Sequence, residues 1–186
     1  MIRRLYDRWS RALAVLCAGF AVLSFAPVAS ASPFGQGLFG ADVPFGSLTS
    51  LTISLSGDVS VGLLPDGANF SGAGSQTVTV TSTDVVGYNL YIYAPDGTDM
   101  AGSTDTIPTS SNTSAGPLAT NTWGYNTDGT DDYVGMTTTP ALLKNALGPY
   151  KNGDDTTVHY GIVTDGAKGA DSYTVEVTYT AVALNY

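Results

Sequence analysis

The residues of this chain that could carry out a reaction are one histidine and a large set of acids. A catalytic triad needs a base within reach of a nucleophile and a third group that orients the base. His159 lies within a strand-like run, between Val158 and Tyr160, and no Gly-x-Ser-x-Gly sequence supplies a nucleophile. The sequence therefore predicts that His159 is a strand residue on the surface of a sheet and that the protein is not an enzyme. A hydrolase that uses two carboxylates stays an alternative, although the acids lie mostly in Asp-Gly turns, as turn chemistry alone predicts.

Two acidic loops are candidate calcium sites. Calcium requires several oxygen ligands from a bent loop, and neither loop has the spacing of an EF-hand. The candidate ligands are Asp128, Thr130, Asp131 and Asp132 in the first loop, and Asn152, Asp154 and Asp155 in the second. Acidic turns without metal explain the same residues, so we expect no obligatory cofactor.

Aromatic side chains offer a second kind of binding site. Sugars are commonly bound by exposed aromatic rings on a sheet, but aromatic residues also fill the interior of β-proteins. The candidate ligand-binding aromatics are Tyr91, Tyr93, Tyr125 and Tyr133. Trp123 is expected in the core.

The lysines bear on a third possibility, an intramolecular isopeptide bond between a lysine and a nearby asparagine or aspartate. Such a bond requires an apolar core around the lysine. Lys144, Lys151 and Lys168 all fall in segments that read as loops or helix. We therefore expect no such crosslink.

The first 31 residues have the pattern of a secretory signal peptide. A basic stretch up to Arg11 precedes an apolar run over residues 12–23, and Ala29-Ser30-Ala31 supplies the small residues of a cleavage site. The alternative, a retained anchor, needs about 20 apolar residues, and Pro27 cuts the run short. We predict cleavage after Ala31, secretion, and no membrane span afterwards.

Removal of residues 1–31 leaves a strongly acidic chain. The remaining chain contains three lysines, fourteen aspartates and Glu176, which give a formal charge of −12. It contains no arginine and no cysteine. So negative a protein is repelled by nucleic acid and by anionic membranes. Partners are therefore expected among other surface subunits, a second copy of the chain, or a glycan. The absence of cysteine resembles the habit of bacterial surface proteins more than that of small eukaryotic secreted modules.

Residues 32–48 form an apolar N-terminal arm ahead of the first predicted strand. Its large apolar side chains are Phe34, Leu38, Phe39, Val43 and Phe45. An exposed apolar arm favours insertion into a groove of a neighbouring subunit, as in strand addition. An arm that packs across its own domain is the alternative.

Residues 49–186 are predicted to be all-β. Short runs that alternate between apolar and polar residues are separated by turn residues every eight to twelve positions, which favours one antiparallel β-sandwich of about eight strands. In one such run, Tyr88, Leu90, Ile92 and Ala94 share a face. Residues 140–148 are the only segment expected to form a short helix. Residues 157–164 and 172–181 are expected to pair as a long hairpin.

Four of these runs carry a resemblance to a known group. They are residues 87–92 (GYNLYI), 121–125 (NTWGY), 158–162 (VHYGI) and 173–181 (YTVEVTYTA). Together they resemble a loose group of secreted bacterial β-sandwich surface proteins, often found near WxL-type cell-surface or fimbria-like proteins. The resemblance covers roughly residues 50–182 and rests on strand patterns. It implies a non-enzymatic role at the cell envelope.

The chain departs from that group in lacking a WxL pair and a sorting motif after Tyr179. We therefore expect release, non-covalent attachment or assembly with other subunits. The sequence predicts a secreted protein with a structural or adhesive function at the cell surface. One form of this function is that of a fibre or pilus-like subunit that assembles by strand complementation. The alternative is a soluble module that binds carbohydrate or calcium.

Overall fold

The structure, a computed structural model, describes residues 49–184, and this part of the chain consists of β-strands joined by turns and loops. The strands are β1 (Ser50–Leu55), β2 (Leu64–Asp66), β3 (Asn69–Thr83), β4 (Gly87–Tyr93), β5 (Met100–Ala101), β6 (Thr106–Ile107), β7 (Thr122–Asn126), β8 (Ala141–Leu147), β9 (Asp154–Thr164) and β10 (Thr178–Leu184). No helix occurs between residues 49 and 184. The predicted all-β class is confirmed for this range.

The strands form three antiparallel sheets. The first has the order β1-β3-β9-β7, with β2 also paired to β3; the second has the order β10-β4-β8; β5 and β6 form the third. The ladder between β3 and β9 is the longest and joins eleven residue pairs, from Phe70 opposite Thr164 to Val80 opposite Asp154. Ten strands are present among the described residues where about eight were expected, and two of them, β5 and β6, are only two residues long.

Alternation along the strands decides which residues enter the core. In β4 and directly after it, Tyr88, Leu90, Ile92 and Ala94 are completely buried, as the sequence pattern predicted. One hydrophobic cluster takes side chains from both larger sheets. Its fully buried members include Val78, Val80, Tyr88, Leu90, Ile92, Trp123 and Val158. The prediction that Trp123 belongs to the core is confirmed.

The predicted helix over residues 140–148 is wrong, because this segment contains strand β8. It pairs with β4, with Gly87 opposite Leu147 and Ile92 opposite Ala141, and a bulge lies next to Leu90. A helix of nine residues is marginal by itself in water. Backbone hydrogen bonds to β4 and burial of Ala146 outweigh the helix propensity of the leucines and alanines.

The predicted hairpin of residues 157–164 with 172–181 is also wrong. Strand β9 pairs with β3 on one edge and with β7 on the other. A strand has only two edges that form hydrogen bonds, so β9 cannot take a third neighbour. Strand β10 therefore pairs with β4 in the other large sheet.

The predicted signal peptide and apolar arm, residues 1–48, lie outside the described residues. Within residues 49–184, no helix is long and apolar enough to cross a membrane.

A first prediction concerns the close contact between β4 and β8. A Cβ added at Gly87 would collide with the carbonyl oxygen of Ala146, a backbone atom that cannot rotate away. We expect Gly87→Ala to lower the free energy of unfolding by about 1–3 kcal/mol, because overpacking forces the backbone to shift. Chemical denaturation measures this change.

The matched control is Gly166→Ala, since no atom lies within 4 Å of a Cβ at Gly166. The control is expected to change stability by less than about 0.5 kcal/mol. Equal effects of the two substitutions would contradict the packing described here.

Candidate functional site

A cleft of about 540 Å³ is lined by the first sheet and its loops on one side and by residues 173–177, which lead into β10, on the other. Its apolar lining residues are Leu55, Val59, Val61, Met100, Trp123, Tyr160, Tyr173, Val175 and Val177. Gln76, Thr174 and two exposed acids, Asp58 and Glu176, complete the lining. The cleft therefore presents apolar side chains together with polar groups, two of which are carboxylates.

Two glycines of β3 allow the loop before β2 to approach closely enough to form one wall. A Cβ at Gly72 would lie 2.8 Å from Val61 Cγ1, and a Cβ at Gly74 would lie 2.7 Å from Val59 Cγ1. Both contacts are too short for a side chain, so only glycine admits the valines here. The side-chain amide of Gln76 also donates a hydrogen bond to the Gly57 carbonyl at the start of this loop.

The opposite wall is held by backbone hydrogen bonds to β5. The Ala101 amide donates to the Thr174 carbonyl at 2.8 Å, and the Thr174 amide donates to the Ala101 carbonyl at 3.0 Å. Val175 and Val177 pack against the core, and Glu176 between them is exposed. Half-buried and exposed side chains thus alternate along this segment, which pairs with β5 only at Thr174.

A buried tyrosine, Tyr160, and a half-buried one, Tyr179, connect the two larger sheets near the cleft. The hydroxyl groups of Tyr160 in β9 and Tyr179 in β10 are hydrogen-bonded to each other. Burial raises the pKa of Tyr160 far above its usual value, and the neighbouring Tyr179 adds to the rise. Burial also raises the pKa values of Tyr179 and Tyr125. These phenols are therefore held in the neutral form.

A second polar connection between the sheets joins three side chains. The Lys144 ammonium group lies 2.7 Å from Asp154 Oδ1, and the Tyr88 hydroxyl donates a 2.6 Å hydrogen bond to Asp154 Oδ2. Burial is the main cause that raises the pKa of Tyr88, and its bond to the Asp154 carboxylate adds to it. Lys144 thus turns inward from the edge strand β8. An inward charge on an edge strand opposes pairing of that edge with another chain.

The first candidate calcium loop is closed by hydrogen bonds of its own. Asp128 Oδ1 accepts bonds from the amide and the hydroxyl of Thr130, at 3.1 and 2.9 Å. These bonds lower the pKa of Asp128, with the backbone bond as the largest cause. The Asn126 side-chain amide donates to the carbonyl oxygens of Thr130 and Asp132, at 2.7 and 2.9 Å. Asp131 and Asp132 are exposed.

The candidate ligands of the second calcium loop do not converge on one point in the structure. Asp154 and Asp155 are successive residues of β9, so their side chains lie on opposite faces of the sheet. Asp154 binds Lys144, whereas Asp155 accepts a 2.6 Å hydrogen bond from the Thr79 hydroxyl. Asn152 lies in the preceding turn. Within residues 49–184, no group of three or more His, Cys, Asp or Glu side chains is arranged to hold a metal ion. Calcium binding stays a prediction.

The four candidate tyrosines are divided between the surface and the interior. Tyr91 and Tyr93 are half-buried and point outward from β4. Tyr125 belongs to the hydrophobic cluster. Tyr133 is buried, and its ring occupies the space where a side chain at Gly161 would lie. Only Tyr91 and Tyr93 can therefore offer a ring face to a sugar.

His159 lies on β9, half-buried, with its ring 3.4 Å from the position of a Cβ at Gly129. It pairs in register with Ser75 of β3 and Asn126 of β7. No nucleophile hydrogen-bonds to it among the described residues.

Sequence reasoning missed the cleft, the Lys144–Asp154 pair and the role of Asn126. The first two depend on contacts between segments far apart in the chain. The sequence Asn126-Thr-Asp-Gly129 did carry a signal for the third, because asparagine side chains commonly bond to the backbone of a following turn.

Comparison of the chain with protein-family models, with curated proteins and with solved structures finds no match. The described residues define the class of the protein as all-β, built from antiparallel sheets.

A second prediction tests the polar connection between the sheets. Asp154→Asn removes the charge that partners the Lys144 ammonium group, and Lys144 is partly buried. We expect the free energy of unfolding to fall by about 1–2 kcal/mol, as for hydrogen bonds to charged groups. Asp105→Asn provides the comparison, since Asp105 is more exposed than Asp154, although its partner Lys168 is less exposed than Lys144. It is expected to lower the free energy of unfolding by less than Asp154→Asn does, because solvent screens the more exposed carboxylate. Equal losses would show that the Asp154 contact is an ordinary surface ion pair.

A third prediction concerns alkaline pH. The pKa values of Tyr88 and Tyr160 are higher in the folded protein than the usual tyrosine value of about 10. The unfolded chain therefore loses phenolic protons before the folded one does. The stability that the protonated phenols contribute is complete below about pH 10 and is lost as the pH rises above it. Thermal melts between pH 8 and 11 should show a steady fall in melting temperature above pH 10.

Tyr160→Phe should make this fall shallower, because it removes one of the titrating groups. Leu147→Ala is the control, since Leu147 is an exposed residue with no titrating group. It should keep the wild-type slope. A wild-type melting temperature that is constant up to pH 11 would contradict the burial of these phenols.

Proposed function

We propose that this protein is an exported structural or adhesive protein of the bacterial cell surface, and that its copies assemble by strand complementation. The apolar arm, residues 32–48, of one copy would enter the cleft of another. The observation that carries the proposal is the cleft itself, which has a volume of about 540 Å³ and is lined in part by apolar side chains, in a chain that also has an apolar arm.

The described core supports a β-sandwich as the scaffold for this assembly. Residues of both larger sheets share one hydrophobic cluster, and Tyr160–Tyr179 and Lys144–Asp154 connect the sheets. We propose that the two sheets pack face to face as one sandwich. The cleft would then be a place where the sandwich lacks side chains to complete its core.

The chemistry of the arm matches that of the cleft. Phe34, Leu38, Phe39, Val43 and Phe45 are the large apolar residues of the arm. The cleft offers four half-buried valines and the half-buried ring of Tyr173 to such side chains. Burying a large apolar side chain stabilises by about 1.5–3 kcal/mol, whereas association costs about 4–15 kcal/mol, so most of the five side chains would have to be buried for a stable contact.

The length of the arm permits insertion into a neighbour. Seventeen residues precede Thr49 after the predicted cleavage site, and an extended chain advances about 3.4 Å per residue. The arm can therefore span roughly 55 Å, which is more than the width of a domain of this size. The reach also permits insertion into the cleft of the same copy, so the test must separate the two arrangements.

A role without catalysis fits the described residues best. Within residues 49–184, no nucleophile is hydrogen-bonded to His159. The predicted signal peptide and the formal charge of −12 suit a protein that works outside the cell.

A fourth prediction tests assembly. We expect purified residues 32–186 to form fibres in negative-stain electron microscopy, and the fibres to be absent when residues 32–45 are removed. A synthetic peptide of residues 33–45 should bind to the shortened protein by fluorescence anisotropy. Fibres that persist without the arm would contradict strand complementation.

The cleft is tested separately by Val175→Asp, which places a carboxylate among the apolar lining residues. Burial of an unpaired charge is strongly unfavourable, so this variant should bind the peptide poorly and form no fibres. Val182→Asp, the same substitution at an exposed valine of β10 outside the cleft, is the matched control and should assemble normally. Monomers in every sample, with the peptide bound to the shortened protein, would show that the arm occupies the cleft of its own copy. Monomers with the peptide unbound would contradict binding of the arm to the cleft.

A further inference from the structure

The outer face of the second sheet carries no charged side chain. In β4 the residues that alternate with the buried ones point outward, and the registers of β10 and β8 place their partners on the same face. The outward residues are Asn89, Tyr91 and Tyr93 in β4, Leu142, Asn145 and Leu147 in β8, and Thr178, Thr180 and Val182 in β10. We call this surface the neutral face.

Large apolar side chains are exposed on the neutral face. Leu142 is 56% exposed, Leu147 is 74% exposed and Val182 is 47% exposed. The bulge beside Leu90 lets Lys144 turn inward to Asp154, which keeps the one charged residue of β8 off this face. An exposed apolar surface rimmed by polar groups is typical of an interaction site.

Polar groups on the neutral face are connected in a row. The Asn145 side-chain amide donates to Asn89 Oδ1 at 2.6 Å, and the Asn89 amide donates to the Tyr91 hydroxyl at 3.3 Å. The Tyr91 hydroxyl accepts that bond, so its own proton can be donated to a ligand. The Asn145 carbonyl oxygen at the other end can accept one. The row thus presents a donor and an acceptor beside aromatic rings.

We propose that the neutral face binds an extended, uncharged polysaccharide. Sugar rings present apolar C–H faces, which pack on tyrosine, and hydroxyl groups, which both donate and accept hydrogen bonds. Tyr91 and Tyr93 lie two residues apart on one strand, about 7 Å, so both can contact a single glycan chain. This inference deepens the adhesive part of the proposed function, because it names the class of ligand.

The charge of the protein favours a neutral ligand. The mature chain carries a formal charge of −12, so glycans that carry uronate or sulfate groups are repelled. An uncharged polymer meets no such barrier at the neutral face.

The size of the neutral face favours a narrow ligand over a second copy of the chain. Three strands about 4.8 Å apart and seven residues long give a planar footprint of roughly 340 Å². A stable protein interface needs about 800 Å² of accessible surface on each partner. Even if the protruding side chains made the accessible area twice the planar footprint, the neutral face would offer less than about 800 Å². One extended glycan chain can be accommodated on it.

The test uses the complete mature chain, residues 32–186, and isothermal titration with cellohexaose, chitohexaose and laminarihexaose. We expect saturable binding to at least one of these neutral glycans. Tyr91→Ala and Tyr93→Ala should each weaken it by about tenfold, because each removes a ring that the sugar packs against. Asn145→Leu leaves both rings in place and should also weaken binding, since it removes the end of the hydrogen-bonded row.

Phe70→Ala is the matched control, because Phe70 is an exposed aromatic residue of the other large sheet. It should bind the glycans as the wild type does. Thermal melts of every variant verify that the fold is intact.

Three results would overturn the inference: no binding to any of the three glycans, binding unaffected by both tyrosine substitutions, or tighter binding to alginate oligomers than to neutral ones. A fourth is sedimentation that shows a dimer which Tyr91→Ala or Leu142→Ser dissociates, since the face would then belong to a second copy. Electron microscopy of the same preparations reports fibre assembly separately. Loss of glycan binding and loss of strand complementation are therefore distinguishable.

Discussion

The antiparallel ladder between β3 and β9 is the constraint on which the rest of the described structure depends. Its eleven residue pairs set the register of the first sheet. A shift of one residue would turn every side chain of a strand to the opposite face. In this register Val78, Val80 and Val158 are buried, and threonines such as Thr77 point outward. The same ladder leaves β9 with one free edge, which β7 occupies.

Strand β9 also places the groups that connect the two larger sheets. Its first residue, Asp154, receives Lys144 and Tyr88 of the second sheet, and Tyr160, farther along, meets Tyr179. Each contact satisfies polar groups that burial would otherwise leave without partners. The cleft lies beside the tyrosine pair, where valines from two irregular segments line it. The polar contacts that connect the two sheets and the cleft therefore lie close to the same strand, β9.

The acids of the protein are distributed unevenly over these surfaces. Asp58 and Glu176 lie at the cleft, and Asp128, Asp131 and Asp132 belong to one loop. The outer face of the second sheet has none. Residues 32–186 carry a formal charge of −12, and such a neutral surface is where an uncharged partner approaches without desolvating a charge. The proposed assembly and the proposed glycan site therefore use separate surfaces.

The sequence by itself determined the all-β class and the buried faces of individual strands. Alternation is a local property, so the burial of Tyr88, Leu90 and Ile92, and the core position of Trp123, followed from neighbouring residues alone. Strand partners did not, because pairing depends on which edges are already occupied. For that reason the strand over Ala141–Leu147 was predicted as a helix, and β10 was assigned to β9. The cleft, the Lys144–Asp154 pair and the neutral face were likewise decided by tertiary structure, since each joins segments that only pairing and packing bring together.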